Sequence, residues 1–244
     1  MKTVLIGIPV KNCAVYLEGL TTQLCNLTYP HHLMEVVFIE NDSEDKSYEM
    51  LWQVCERLRA AGFGAVHLEK RDQGFKLRHE NRHINEVQVP RLKALRAVRQ
   101  HIVNTYLKYQ EFVFWIDADF VFIPPDCVTK LVGYNVDVVI PLYTLPSGFI
   151  YDSSSFTHEH GRCLSVSDLM REHSDDDLVP MESVNAAALV RTEIYRDCDY
   201  TGGDGDQEGN ILSTAARAKG FKLFFAPKVR IIHAAVSGTD PIVK

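Results

Sequence analysis

Apolar and polar stretches alternate along the first 140 residues, and their periods switch between two and about 3.6. Residues 4–10 form a short apolar run that ends at Lys11-Asn12, the pattern of a buried strand. Asn12 can cap a helix reaching Asn26, with Tyr16, Leu17, Leu20 and Leu24 on one face. Tyr29-Pro30 closes that region. Residues 35–40 predict a second strand, with Val-Val-Phe-Ile at its centre. Asn41-Asp42-Ser43 then supplies a turn and cap before a helix that carries Tyr48, Leu51, Trp52, Cys55 and Leu58 and stops at Gly62. Residues 65–68 predict a third short strand. Residues 70–88 are polar and aperiodic and read as a loop. Pro90 suits the first position of a helix that runs to about Tyr106. Residues 112–116 are a strongly apolar strand running straight into Asp117-Ala118-Asp119. Pro124-Pro125-Asp126 opens another short helix, and residues 136–140 predict the next strand.

The second half is less regular. Residues 144–182 show no sustained period, and so long a stretch inside a compact domain reads as a lid or binding loop. Residues 184–190 predict a strand of small residues, residues 207–219 a helix, and residues 221–225 and 229–232 two last strands ending at His233. Strands alternating with helices predict an α/β single domain: a mixed, mostly parallel sheet flanked by helices. In such sheets ligands bind beyond the carboxyl ends of the strands. Four polar clusters fall at those ends: Lys11-Asn12, Asn41-Asp42, Asp117-Ala118-Asp119 and His233.

Composition narrows the functions. Of the 244 residues, 46% are hydrophobic and 24% charged, which excludes a disordered, collagen-like or coiled-coil chain. The net charge of −6 argues against a general nucleic-acid binder. Six cysteines lie scattered without a Cys-x-x-Cys pair, and four sit in apolar periodic segments. They predict small buried hydrophobes in a reducing, cytoplasmic compartment. No signal peptide and no run of 18 apolar residues is found, so work at a membrane is expected to be peripheral or partner-anchored.

Asp117 and Asp119 are the sharpest chemical feature. In an extended chain, residues i and i+2 point to one side, and two carboxylates there make a hard oxygen site for Mg²⁺ or Mn²⁺. The bland alternative is a helix-turn cap beside a solvated carboxylate. The buried run before the motif and the apolar Phe120-Val121-Phe122 after it favour the metal, because carboxylates between apolar runs are costly unless paired. Residues 70–99 hold nine Lys or Arg against three Asp or Glu. Lys76, Arg78, Arg82, Arg91, Arg96 and Arg99 are thus candidates for an anionic ligand. Lys93 and Arg96 fit a solvated helix face, whereas Arg91, at a helix start, fits ligand binding. Thr201-Gly202-Gly203-Asp204-Gly205-Asp206-Gln207-Glu208-Gly209 is either a solvated acidic cap or a carboxylate set that takes a proton from an acceptor hydroxyl. His233 is a candidate third metal ligand. His31-His32 and His158-x-His160 lack the partner pairs a zinc site requires.

Taken in order, several segments resemble the GT-A fold glycosyltransferases, and most closely the fungal mannan-polymerase class of mannosyltransferases. They are Pro9-Val10-Lys11-Asn12, Leu27-Thr28-Tyr29-Pro30-His31-His32, Glu40-Asn41-Asp42-Ser43 and Phe114-Trp115-Ile116-Asp117-Ala118-Asp119-Phe120-Val121. Val138-Val139-Ile140-Pro141, Ala187-Ala188-Leu189-Val190-Arg191, Asp206-Gln207-Glu208 and the stretch from Phe225-Ala226-Pro227 to His233 follow in register. The resemblance implies one GT-A catalytic domain over residues 1–244. Residues 1–119 would form the nucleotide-sugar half, and residues 120–244 the acceptor half with the 144–182 loop. It implies that Pro9, Asn41, Asp42 and Ser43 line the base and ribose of a GDP- or UDP-sugar. Asp117, Asp119 and His233 would hold Mn²⁺ or Mg²⁺ and the diphosphate, and Asp206 or Glu208 would face a glycan or glycoprotein acceptor. The non-enzyme alternative is an inactive GT-A domain that binds sugar or assembles a complex. A phosphotransferase with an aspartyl nucleophile is disfavoured, because its motif usually follows the first strand and here follows about the fourth. A sugar nucleotidyltransferase is disfavoured because the first strand lacks a Gly-rich phosphate loop.

Overall fold

The computed structural model describes residues 1–74, 85–150, 156–159, 162–183, 188–198 and 208–234. Its centre is one nine-stranded mixed sheet in the order β3-β2-β1-β4-β10-β6-β11-β5, with β9 paired to β11. The strands β1 (Val4–Val10), β2 (Met34–Glu40), β3 (Ala65–Lys70) and β4 (Phe112–Trp115) form a parallel block. β10 (Leu189–Arg191) runs antiparallel between β4 and β6 (Val138–Thr144). β6 pairs in parallel with the long β11 (Leu223–His233), and β5 (Phe120–Phe122) and β9 (Val179–Met181) lie antiparallel to β11. Six of the nine strands therefore share one direction, and the fold is the mostly parallel α/β sheet that the alternation predicts.

The parallel block is buried along nearly its whole length. Residues 4–8 and 36–39 are almost all inaccessible, as are Phe112, Val113 and Phe114. Such strands read as apolar runs because helices cover both faces. Helices α1 (Ala14–Cys25), α2 (Ser47–Ala60) and α3 (Asn85–Tyr106) connect the block, and Leu17, Leu20, Leu24, Leu51, Leu58, Val98 and Ile102 join its core.

The structure corrects several local expectations. Asn12 does not cap α1. The cap position is Cys13, and the first helical N–H groups are met from the next loop: Cys13 N donates to Ser47 Oγ at 2.9 Å and Ala14 N to Asp45 Oδ2 at 3.0 Å. Ser43 likewise ends a turn and does not cap α2, which begins at Ser47. α3 starts at Asn85, so Pro90 lies inside it and residues 85–88 are helical. As the sixth helical residue Pro90 lies past the N–H groups that lack intrahelical partners, so the helix forgoes the bond to the carbonyl of residue 86 there. The two closing strands are one strand, β11, with its register shifted between Ala226 and Arg230.

The 144–182 stretch contains regular structure. β7 (Phe156–Glu159) and β8 (Arg162–Ser165) form a hairpin, followed by α5 (Val166–His173) and β9. α5 has a capping box: Ser165 Oγ accepts from Asp168 N at 3.2 Å, and the Asp168 carboxylate accepts from Ser165 N. α4 (Cys127–Gly133), α6 (Thr192–Asp197) and α7 (Glu208–Ala218) complete the helices. Among the described residues no helix is long and apolar enough to cross a membrane. Cys13, Cys25, Cys55, Cys127 and Cys198 are free thiols.

Candidate functional site

The parallel block directs its loops to one edge, where β1 has β2 on one side and β4 on the other. After β1 and β2 the backbone turns through left-handed positions at Asn12 (φ 51°) and Asp42 (φ 54°), which Asn and Asp tolerate best after Gly. The two loops are laced together. Asn12 N donates to Ser43 Oγ at 3.0 Å, and Glu44 N donates to Asn12 Oδ1 at 2.8 Å. Asn41 N donates to Val10 O at 3.0 Å. The Asp42 carboxylate accepts from Gln73 N and Gly74 N, both at 2.9 Å, while Asp42 N donates to Asp72 Oδ1. Pro9, Asn41, Asp42 and Ser43 thus gather at one edge, but the Asp42 carboxylate and the Ser43 hydroxyl hold neighbouring loops in place. Glu40, which sequence reasoning passed over, is fully buried. It accepts from Ser43 N at 2.8 Å through Oε1, and the Lys70 ammonium stands 4.0 Å from Oε2. The available signal was a carboxylate ending an otherwise apolar strand.

Asp117 and Asp119 lie in the turn after β4, with Phe120 N donating to Asp117 O at 3.3 Å. The strand ends at Trp115, so the i, i+2 argument from an extended chain does not apply. Nor is the following run wholly buried. Phe120 is buried, but β5 is an edge strand and Val121 and Phe122 are exposed. The two carboxylates are partnered differently. Asp119 Oδ1 lies 3.1 Å from His233 Nε2, and Ala234 N donates to Asp119 O at 2.9 Å. The other ring nitrogen of His233 lies 2.8 Å from Ala234 O, and Phe120 packs edge-on against the ring. Asp117 Oδ1 faces Nη2 of Arg99 at 3.6 Å, an ion pair longer than a hydrogen bond.

The electrostatics follow. Burial pushes the Asp117 carboxyl above its ordinary value. Arg99 opposes the rise, Asp119 adds to it, and His233 and Arg91 pull it back. Burial alone would lower the His233 imidazole, but the hydrogen bond and charge of Asp119 outweigh it and hold it above its ordinary value. Burial, reinforced by the Asp119 charge, pushes the Cys13 thiol up to about 12. Asp117 and Asp119 each keep about a third of their side-chain surface open, 30% and 33%.

Among the described residues no three His, Cys, Asp or Glu side chains form a ready metal cage. The donor set nevertheless fits a hard divalent ion. Mg²⁺-like ions are commonly held by one or two carboxylates and completed by water and substrate phosphate oxygens. The contact between Asp119 and His233 pairs two donors that a cation could bridge in place of a proton.

Arg91 is exposed on α3, and its charge reaches Asp117. Lys93 is exposed as a solvated face requires, but Arg96 is buried: it shares a helix face with the buried Arg99 and Val103, three and seven positions further on. Asp206, Lys76, Arg78, Arg82 and residues 184–187 lie outside the described residues. Glu208 opens α7, and its side chain also lies outside them.

The Anp1 family model matches residues 1–173. The anp1 subunit of the mannan polymerase II complex of Schizosaccharomyces pombe is 28% identical over 146 residues, covering 57% of this chain and 34% of that protein. The Saccharomyces cerevisiae ANP1 subunit of mannan polymerase II is 26% identical over 237 residues, covering 90% of this chain and 46% of that protein. The chain therefore spans between a third and a half of the length of these relatives. Among solved structures, the mannosyltransferase PcManGT from Pyrobaculum calidifontis, in complex with GDP-Man and Mn²⁺, superposes with a TM-score of 0.62 at 15% identity. That match covers 97% of this chain and 58% of the other. S. aureus TarS 1–349 with UDP-GlcNAc gives 0.60 at 14% identity, covering 97% and 60%. At these identities the likeness shows the GT-A fold.

Proposed function

The chain belongs to the Anp1 family, and from that premise we propose that it is a glycosyltransferase domain that takes a hexose, such as mannose, from a GDP- or UDP-sugar to a glycan or glycoprotein hydroxyl. One observation carries this reading. Asp119 and Asp117 lie at the carboxyl edge of the parallel block, and His233 reaches Asp119 from the last strand. The fold neighbours named with GDP-Man and Mn²⁺ and with UDP-GlcNAc support a nucleotide-sugar donor.

In this reading Pro9, Asn41 and Ser43 border the nucleoside, and Asp42 keeps their loop fixed to residues 72–74. Asp117, Asp119 and His233 would hold Mn²⁺ or Mg²⁺, and Arg91 would add positive charge near the diphosphate. When bound, the metal neutralises charge on the departing nucleoside diphosphate. In an inverting course a carboxylate takes the acceptor proton, and Asp206 and Glu208 are the proposed sources.

A second reading has specific support. The relatives are named as complex subunits, which favours an assembly module that keeps the fold without transfer. Asp119→Asn separates the two. The account expects the wild-type chain to release nucleoside diphosphate from a GDP- or UDP-sugar in the presence of Mn²⁺ and a mannoside acceptor. The variant should lose at least about a hundredfold while unfolding at the same temperature. Equal turnover in both would remove Asp119 from the site. No turnover in either, together with metal-dependent nucleotide binding, would favour the assembly module.

A further inference from the structure

The two carboxylates of the Asp117–Asp119 turn rest on different supports, and the support under Asp117 has a layered construction. Arg99 is nearly inaccessible, at 8% side-chain exposure, in the inner face of α3. Its guanidinium carbon lies 5.2 Å from the centre of the Trp115 ring, and Nη2 is 3.6 Å from Asp117 Oδ1. Trp115 is fixed in turn: its indole N–H donates to the Tyr195 hydroxyl at 2.6 Å, and the two rings meet edge to face at 6.5 Å. β1 makes room for the indole at Gly7, where a methyl group would lie 2.4 Å from Trp115 Cζ3. Elements α6, β4, α3 and β1 thus converge on one charged plane beneath the turn.

A buried arginine is costly unless its charge is met and its plane supported. Stacking on an indole supplies the plane, and a nearby carboxylate meets the charge. At 3.6 Å the guanidinium acts on Asp117 Oδ1 through its fixed, buried charge.

We propose that Arg99 is a positioning residue. Stacked on Trp115 and braced by Tyr195, it holds the Asp117 carboxylate in the orientation that receives a divalent cation with the nucleotide diphosphate. The proposal rests on the reading of Asp117 and Asp119 as the metal and diphosphate site. Residues that orient a metal ligand from behind commonly change metal affinity by about 10–100-fold when altered. A guanidinium that merely repelled the cation would have the opposite effect on removal.

The test uses Arg99→Met, Arg99→Lys and Tyr195→Phe in the full chain. The Mn²⁺ concentration for half-saturation is measured by calorimetry at fixed GDP and at fixed UDP, and nucleotide binding is measured again in EDTA. The expected result for Arg99→Met is a rise of about tenfold or more in the Mn²⁺ half-saturation, with metal-free nucleotide affinity unchanged. Arg99→Lys, which keeps the charge but not the plane, should fall between Arg99→Met and wild type, and Tyr195→Phe should shift a few-fold in the same direction. A general folding defect would lower metal-free binding as well, so the split between the two measurements isolates positioning. Unchanged or tighter Mn²⁺ binding in Arg99→Met overturns the proposal while leaving the site assignment standing. If Arg99→Met does not fold, Arg99→Lys and Tyr195→Phe decide by the same criterion. A wild-type chain that shows no Mn²⁺-dependent binding of either nucleotide overturns the site reading and this role with it.

Discussion

The parallel block β3-β2-β1-β4 and the mixed block β10-β6-β11-β5 with β9 share one sheet but are built by different rules. In the first, consecutive strands are joined through helices, and the loops after β1 and β2 are locked by each other, as Asn12, Ser43, Asp45 and Ser47 show. In the second, β10 enters between strands far from it in sequence, and β11 alone pairs with β6, β5 and β9. The first block presents a preset rim of backbone and short polar side chains. The second contributes His233 at the far end of an eleven-residue strand. A site assembled this way takes its precision from the first block and its closing ligand from the second.

The largest expected effect tests whether the first block is the stability centre. Phe114 is fully buried in β4, between Ile6 of β1 and Leu189 of β10. Phe114→Ala should cost about 3–5 kcal/mol in urea unfolding, whereas Met181→Ala in β9 should fall at about 2 kcal/mol, the low end for its type. Equal costs would break the comparison. Next comes Gly7→Ala, whose methyl would collide with Trp115; overpacking of this kind costs about 1–3 kcal/mol and should alter Trp115 fluorescence. An unchanged spectrum and stability would show that β1 and Trp115 can separate freely.

Ser165→Ala probes α5, the helix that leads from the β7-β8 hairpin into β9 of the second block. Loss of the α5 capping box should cost about 1 kcal/mol, read by chemical denaturation. The smallest effect is at Glu69, on the edge strand of the first block. Burial pulls its carboxyl up, but hydrogen bonds from His101 at 2.8 Å and Tyr106 at 2.9 Å outweigh it and leave it below its ordinary value. A depressed carboxylate stabilises the fold above its unfolded value and loses that contribution as pH falls through the folded one. The stability gap between wild type and Glu69→Gln should therefore be full at pH 7 and close below about pH 4. A gap that stays constant as the pH falls from 7 through the acid range would assign Glu69 a purely steric role.

The same contrast explains what the sequence made legible. β1, β2, β4 and the helices between them were readable because buried parallel strands are apolar runs and their connections are local. Asp117, Asp119 and His233 stood out because polar residues at the ends of such runs have few structural reasons to be there. The caps of α1 were not readable, since their acceptors sit over thirty residues away at Asp45 and Ser47. The strand expected over 184–190 is met by β10 at Leu189–Arg191, with residues 184–187 outside the described residues, whereas β5 leaves Val121 and Phe122 exposed at an edge and carries no clear local period. The α5 capping box was a local signal that the surrounding polarity obscured. The layered support of Arg99, Trp115 and Tyr195 joins three elements by geometry alone; only the placement of Arg99 on the same helix face as Ile102 and Val103 hinted at its burial.

The central claim is that this edge of the sheet binds a nucleotide diphosphate through a divalent metal. It is tested most directly by thermal unfolding of the wild-type chain with GDP-mannose, UDP-glucose and UDP-GlcNAc, each with Mn²⁺ and with EDTA. A ligand present at 100 times its dissociation constant should add about 2.7 kcal/mol of stability. The account predicts a shift with at least one of these nucleotide sugars that is present with Mn²⁺ and absent with EDTA. Identical unfolding under all conditions, or a shift that survives EDTA unchanged, would contradict it.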